Sequence, residues 1–264
     1  MPVTIHDLRA LKERGERFAM VTAYDVAIAR LLAEAEVPVL LVGDSVGNNH
    51  LGYSTTLPVT MEEMLHHARA VARAAPDRLL VADMPFGSYH QSTEQAVAGA
   101  TDLVKAGMHA VKLEGGGWVA AVTARLVECG IPVMGHLGLT PQFVNAFGGH
   151  RVQGRSGDSA RRILEDARAL EAAGAFSLVL EGIPRSLGAE VTAAVSIPTI
   201  GIGAGPDCDG QVLVVYDLLG ITRGPMPKFV RPFAQVGDAI VAAARAFAAE
   251  VAGGSYPDDA HSYH

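Results

Sequence analysis

Short apolar runs alternate with longer amphipathic stretches along most of the chain. The runs consist mainly of Val, Leu, Ile, Ala and Met, without the polar–apolar alternation of a strand that has one face in water. Such runs are typical of parallel strands that are buried on both faces of a sheet. The predicted strands cover residues 18–22, 39–42, 79–82, 110–113, 132–135, 177–180, 198–201 and 211–215.

Helix signals separate these strands. Thr60 with Glu63 is a capping-box pair, Ser92 with Gln95 marks a second helix start, and Gly107 ends that second helix. Helices are therefore predicted over residues 26–35, 60–75, 92–107, 118–128, 159–173 and 236–251, with a further short helix before the seventh strand. Another helix is expected to precede the first strand, as an N-terminal extension of the main fold over residues 1–16.

The succession of strands and helices shows no break in composition, which predicts an α/β fold consisting of one (β/α)8 barrel. The length of 264 residues is normal for that fold, so we expect a single domain over residues 1–264, with residues 252–264 as a polar tail. The alternative is a doubly wound open sheet, which would carry a G-x-G-x-x-G turn after its first strand. The glycine-rich segment of this chain, residues 201–205, comes late and lacks that spacing.

The composition limits the classes of partner. Charged residues make up 19% of the chain, the formal net charge is -7 and the basic residues form no run, so nothing indicates binding of nucleic acid or of a membrane. We expect small molecules and other protein subunits as partners. The N-terminus lacks the apolar core of a signal peptide, and Cys129 and Cys208 are isolated thiols, which favours a cytoplasmic location.

Chemically useful side chains follow the predicted strands at their carboxyl ends. One acidic residue after a strand is usually a turn former or a helix cap, but the same pattern at successive strands is hard to explain in that way. In a (β/α)8 barrel these ends meet at one mouth, where the loops form the active site. The residues concerned are Asp44, Ser45, Asp83, Lys112, Glu114, His136 and Glu181.

Lys112 and Glu114 lie two residues apart in one predicted strand and therefore face the same side. A buried ammonium and a buried carboxylate both need a balancing charge. A metal ion, an anionic substrate or a structural ion pair between the two would each provide it, and this stretch alone leaves the three interpretations open.

Three carboxylates, those of Asp44, Asp83 and Glu114, are expected to converge from neighbouring strands. Their repulsion requires either a cation or the protonation of one carboxyl group. Oxygen ligands without a nearby cysteine favour Mg²⁺, and some of the three are expected to act through water.

Glu181 follows a different strand and is therefore free to act as a base, while Lys112 is placed to neutralise an oxyanion. Together with Mg²⁺ these groups indicate enolate chemistry on a 2-oxo acid. His136 has three interpretations: a substrate contact, a residue that orients a carboxylate, or a strand-end histidine without a chemical role.

The chain resembles the ketopantoate hydroxymethyltransferase family, also called the 3-methyl-2-oxobutanoate hydroxymethyltransferase family. The resemblance covers almost the whole chain, and the ordered set of motifs is specific although each motif alone is weak. The motifs are TAYD (22–25), LVGDSVG (41–47), TLPVT (56–60), VADMPF (81–86), VKLEGG (111–116), GHLGLTPQ (135–142), VQGR (152–155), LEGIP (180–184), IGIGAG (200–205) and DGQVLV (209–214).

This resemblance implies a barrel of the phosphoenolpyruvate/pyruvate-like type. It implies transfer of a hydroxymethyl group from 5,10-methylenetetrahydrofolate to 3-methyl-2-oxobutanoate through a Mg²⁺-stabilised enolate, giving 2-dehydropantoate and tetrahydrofolate for pantothenate and coenzyme A biosynthesis. Glu181 resembles the family's proton acceptor. Members of the family usually form large homo-oligomers, often decamers.

The resemblance also implies roles for the other strand-end residues. Asp44 and Asp83 would bind Mg²⁺, and Glu114 would belong to the metal shell. Ser45 and Lys112, together with the two aspartates, would contact the keto acid. The folate-binding residues are not specified by the motifs.

Two other hypotheses remain. A Mg²⁺-dependent lyase of the same superfamily, which cleaves a C–C bond of a 2-oxo or 2-hydroxy acid, would use the same metal and enolate. Such enzymes usually carry a Cys- or Ser-containing loop over the site, and this sequence has no K-K-C-G-H-like motif. A barrel without activity would be expected to have lost a metal ligand or the base, and the sequence retains both.

Overall fold

The computed structural model describes residues 2–264. Eight parallel strands close into a barrel in chain order, and the last strand pairs with the first. This closure confirms the (β/α)8 prediction and excludes the doubly wound open sheet. The strands are β1 (Phe18–Thr22), β2 (Val39–Val42), β3 (Leu79–Asp83), β4 (Ala110–Glu114), β5 (Val133–Gly138), β6 (Ser177–Glu181), β7 (Thr199–Ile202) and β8 (Gly210–Leu213).

The helices begin where the capping signals predict. Thr60 and Glu63 cap each other's backbone N–H groups, and the Ser92 hydroxyl accepts the N–H of Gln95. The helices are α1 (Ile5–Glu13), α2 (Val26–Glu34), α3 (Met61–Ala74), α4 (Thr93–Lys105), α5 (Ala120–Glu128), α6 (Val144–Phe147), α7 (Gly157–Ala172), α8 (Arg185–Ala194), α9 (Val215–Leu218) and α10 (Val236–Gly253).

Several boundaries differ from the prediction. The eighth strand, expected over residues 211–215, spans Gly210–Leu213. The fifth strand continues past His136 to Gly138, because its last residues pair with the end of β6. The loop after β2 contains a π-helical turn over Gly47–Leu51, and the loop after β5 contains α6.

Helix α1 closes the amino-terminal end of the barrel. Leu8 is fully buried in the same apolar cluster as Phe18 and Leu79, which lie at strand starts. Burying a leucine side chain contributes roughly 1.5–3 kcal/mol. The Lys12 ammonium donates to the carbonyl oxygens of Thr192 and Ile197 and to Asp209. The predicted extension is therefore an integral plug of the barrel.

The chain divides into two compact units, of which the first ends at Val214 and the second begins at Val215. The second unit consists of α9, α10 and the C-terminal residues, including a 3-10 turn over Asp259–His261 within the expected polar tail. Many apolar side chains of α10 are exposed, among them Ile240 and Phe247. None of the helices in residues 2–264 is long and apolar enough to cross a membrane.

Candidate active site

The inward-facing rows of four neighbouring strands change from apolar to polar at their carboxyl ends. Side chains two residues apart on a strand share a face, so each polar residue continues a row that begins in the apolar core. The rows are Val81 and Asp83 on β3, Ala110 with Lys112 and Glu114 on β4, Met134 and His136 on β5, and Val179 and Glu181 on β6. The predicted site residues of these strands therefore form one polar layer at the barrel mouth.

Lys112 lies at the centre of this layer and is almost completely buried. Its Nζ atom is 3.0 Å from Oδ1 of Asp83, 3.6 Å from Oε1 of Glu114 and 3.1 Å from Nδ1 of His136. Burial opposes the charge, but the carboxylates of Asp83 and Glu114 outweigh burial and raise the pKa of Lys112. The ammonium therefore remains charged. It lies beside two carboxylates, so Lys112 and Glu114 do not form an isolated ion pair.

Asp44 enters the same cluster from the loop after β2. Its backbone N–H donates to Oδ2 of Asp83 over 2.9 Å, which ties the loop after β2 to the end of β3. Burial first, and then the charges of Asp83 and Glu114, raises the pKa of Asp44 well above its ordinary value. Asp44 thus lies in a buried, negatively charged environment that a cation would relieve.

Gln142 and Tyr89 are site residues that sequence reasoning missed. The Gln142 amide nitrogen donates to Oδ2 of Asp44 and to the Met84 carbonyl, each over 2.9 Å, and its backbone N–H donates to Oε2 of Glu114. The Tyr89 hydroxyl lies 2.7 Å from Oε1 of Gln142 and also contacts the Glu114 backbone. The only sequence signal for Gln142 is its place at the end of the GHLGLTPQ motif, which begins in β5, and no sequence signal indicates Tyr89.

His136 links two glutamates. Its Nδ1 lies 3.2 Å from Oε1 of Glu114, and its Nε2 lies 3.2 Å from Oε2 of Glu181, although the second contact lacks hydrogen-bond alignment. Burial and the nearby Lys112 ammonium lower the pKa of His136, but Glu114 and Glu181 outweigh both and raise it to about 9. The same imidazole and Lys112 hold the pKa of Glu114 below its usual value against the effect of burial.

Glu181 differs from the rest of the layer in its access to solvent. Its side chain is 17% exposed, against 2% for Glu114 and 3% for His136. A carboxylate that lies beside a histidine and still reaches the mouth can exchange a proton with a bound molecule.

Ser45 occupies the edge of the cluster. Its Oγ lies 2.8 Å from the hydroxyl of Tyr24, a buried residue that follows β1. A Cβ on Gly43 would lie only 2.7 Å from this Oγ, so glycine leaves the space that the serine hydroxyl occupies. All seven residues predicted for the site thus lie at the same end of the barrel.

The donor set fits a hard divalent cation. Oδ1 of Asp83 is buried and accepts no hydrogen bond from any of residues 2–264, although Lys112 lies close to it. Across residues 2–264, no three Asp, Glu, His or Cys side chains form a ready-made ligand cage. Mg²⁺ commonly takes only one or two protein carboxylates and keeps other positions for water and substrate, which suits Asp44 and Asp83.

The architecture is shared with solved barrel enzymes. Phosphonopyruvate hydrolase, crystallised with oxalate and Mg²⁺, superimposes with a TM-score of 0.65 at 14% identity over 100% of this chain and 92% of that chain. A 2,3-dimethylmalate lyase gives a TM-score of 0.60 at 16% identity over 98% of this chain and 91% of that chain. That lyase is a member of the PEP mutase/isocitrate lyase superfamily, and this chain shares its barrel fold.

Sequence comparison narrows the class to one family. The family model for ketopantoate hydroxymethyltransferase matches residues 2–259. A 3-methyl-2-oxobutanoate hydroxymethyltransferase of Acidothermus cellulolyticus is 58% identical over 99% of this chain and 96% of its own length. The protein of that name from Heliobacterium modesticaldum is 53% identical over 99% of this chain and 95% of its own length. The chain belongs to the ketopantoate hydroxymethyltransferase family.

Proposed function

We propose that the protein transfers a hydroxymethyl group from 5,10-methylenetetrahydrofolate to 3-methyl-2-oxobutanoate, forming 2-dehydropantoate and tetrahydrofolate in pantothenate synthesis. Membership of the family and the names of its relatives support the transfer itself. The observation that carries the mechanism is the position of Glu181, a partly exposed carboxylate beside a buried cluster of Lys112 and acidic groups.

Glu181 removes the proton from C3 of the keto acid. The His136 imidazole lies 3.2 Å from the Glu181 carboxylate, so the histidine acts as an orienting residue in this proposal. Negative charge then develops on the 2-oxo oxygen, where the Lys112 ammonium neutralises it. Ser45 lies at the edge of the same cluster and donates a hydrogen bond to the keto acid.

Asp44 and Asp83 would hold Mg²⁺, which when bound supplies a Lewis acid for the 2-oxo group. Glu114 would belong to the outer shell of the metal, because Lys112, His136 and the Gln142 N–H already occupy its carboxylate oxygens. Its role is to hold Lys112 and His136 in place, as outer-shell carboxylates commonly do.

The reaction is completed when C3 bonds to the methylene carbon of the folate. The methylene carbon is bonded to both N5 and N10 of the folate and leaves both. Each nitrogen takes up one proton, one from Glu181 and one from water, and the hydroxide left from that water becomes the new hydroxyl group. We also propose that the protein works in the cytoplasm and that it forms a homo-oligomer. The exposed apolar side chains of α10 support the homo-oligomer.

The test is a transfer assay with purified protein, 3-methyl-2-oxobutanoate, Mg²⁺ and 5,10-methylenetetrahydrofolate. We expect 2-dehydropantoate and tetrahydrofolate to form in equal amounts, and no product when the folate is omitted. Breakdown of a 2-oxo acid without folate would instead identify a lyase, and no turnover under any condition would reject the proposal.

A further inference from the structure

A cavity of about 380 Å³ lies between α7 and the loops that follow β4 and β5. Its volume is within the range of roughly 300–1,000 Å³ that is usual for ligand pockets. The side chains that matter for recognition are those of Trp118, Phe143, Phe147 and Asp166. The site described above does not account for any of these residues.

The cavity shares its wall with the candidate active site. Gly115 and Gly116 line it and directly follow Glu114. Gly138 also lines it and is the register partner of Glu181 in the β5–β6 pair. A molecule in the cavity would therefore lie beside the strand ends that carry the acid–base groups.

Aromatic rings connect the cavity to that site. Trp118 is 49% exposed, and its ring centroid lies 6.0 Å from that of Phe143, which in turn lies 6.5 Å from Phe147. Trp118 also stacks on Tyr89, whose hydroxyl contacts the backbone of Glu114. A large, half-exposed aromatic surface beside a cavity is suited to a planar ring.

Asp166 provides a carboxylate at the edge of these rings. Its Oδ1 accepts the Gly117 N–H over 2.7 Å, and within residues 2–264 its Oδ2 accepts no hydrogen bond. A Cβ on Gly116 would lie 2.1 Å from Oδ2, so the carboxylate reaches this position only because residue 116 is glycine. One acceptor is thus fixed by the loop and the other remains for a ligand.

We propose that this cavity binds the pterin ring of the folate co-substrate, an inference that rests on the proposed function. The aromatic side chains lie against the face of the ring, and Oδ2 of Asp166 accepts a hydrogen bond from the 2-amino group or the neighbouring ring N–H. The methylene carbon is attached to N5 of that ring, so the ring must lie next to the keto acid, and the shared wall with Glu114 and Glu181 satisfies this requirement.

The chain offers a direct probe, because Trp118 is its one tryptophan. Titration with tetrahydrofolate, with N-acetyltryptophanamide as the control for absorption by the ligand, should quench the fluorescence of Trp118 saturably. The simpler compound pterin should compete. Quenching that merely follows the free tryptophan control would overturn the proposal.

Two variants separate this site from the keto-acid site. Asp166→Asn keeps an oxygen for the Gly117 N–H but turns the other acceptor into a donor, and Phe147→Ala removes part of the ring surface. Each should raise KM for 5,10-methylenetetrahydrofolate by about 10- to 100-fold, as expected for loss of a charged hydrogen bond or a ring contact. Exchange of the C3 proton of 3-methyl-2-oxobutanoate with D₂O, which needs no folate, should stay at the wild-type rate.

Tyr263→Ala, which removes a fully exposed aromatic ring, is the matched control and should change neither quantity. An unchanged KM in both cavity variants would overturn the pterin site, as would a parallel loss of proton exchange. Failure of the proposed function itself is distinguishable, because the wild-type protein would then show neither exchange nor transfer.

Discussion

The amide nitrogen of Gln142 lies 2.9 Å from Oδ2 of Asp44, although the two residues are 98 positions apart in the chain. Through the same side chain Gln142 also contacts Tyr89, and through its backbone it holds Glu114. Asp44 lies in a loop, so strand pairing does not determine the position of its carboxylate. That position depends instead on the contact with Gln142, which comes from a second loop. Gln142 is thus a positioning residue for the proposed metal site.

Gln142→Met should weaken the binding of Mg²⁺ by about 10- to 100-fold, the usual effect of removing an outer-shell partner. Methionine has a similar size but cannot donate to Asp44, whose carboxylate then loses its fixed direction. Titration calorimetry with Mg²⁺ measures the change. Gln211→Met, at an exposed glutamine whose amide donates to the Gly205 carbonyl, is the control. Equal affinities in the two variants would rule out the positioning role.

Lys112→Met should lower the free energy of unfolding by about 3–5 kcal/mol when no metal is present, because Asp83 and Glu114 lose the ammonium between them. Added Mg²⁺ should raise the melting temperature of this variant more than that of the wild type, since a cation then relieves a larger repulsion. Differential scanning calorimetry with and without Mg²⁺ compares the two. Lys105→Met, at an exposed position on α4, should behave like the wild type; a Lys112 variant that does so too would contradict the electrostatic account.

The polar layer could be predicted because strand periodicity determines it. Asp83, Lys112, Glu114, His136 and Glu181 each continue the inward face of an apolar strand, so finding the strands was enough to place these side chains at one mouth. The parallel register then determines the neighbours, which is why Lys112 lies beside Asp83 and Glu114 beside His136.

The loop residues could not be predicted in this way. Gln142 lies in a short 3-10 turn and Tyr89 lies in the loop after β3, and neither position has a periodic pattern. Which carboxylate a loop amide reaches depends on tertiary packing. The aromatic cluster around Trp118 was missed for the same reason, since its rings come from three separate loops.

Lys12→Met should destabilise the barrel by about 1.5–3 kcal/mol, because the ammonium donates to Asp209 and to two carbonyl groups that would lose a charged partner. Urea unfolding monitored by circular dichroism measures the loss. Proton exchange at C3 should be unchanged in the folded variant, since Lys12 anchors the end of the barrel away from the mouth. A fall in the exchange rate would show that α1 contributes to the site.

Removal of divalent cations with EDTA should reduce C3 proton exchange to the rate of the uncatalysed reaction, and Mg²⁺ should restore it. Asp44 and Asp83 would otherwise repel the carboxylate of the incoming keto acid. The rate is measured by the loss of the C3 proton signal in NMR spectra. Full exchange in the presence of EDTA would show that Lys112 alone balances the charge.

The central claim, that Glu181 removes the C3 proton, is tested most directly in D₂O. The protein is incubated with 3-methyl-2-oxobutanoate and Mg²⁺, without folate, beside the variants Glu181→Gln and Glu190→Gln, the latter an exposed glutamate of α8. We predict that the wild type and Glu190→Gln exchange the proton at equal rates and that Glu181→Gln is slower by about 10²- to 10⁴-fold. Exchange by Glu181→Gln at the wild-type rate would contradict the account.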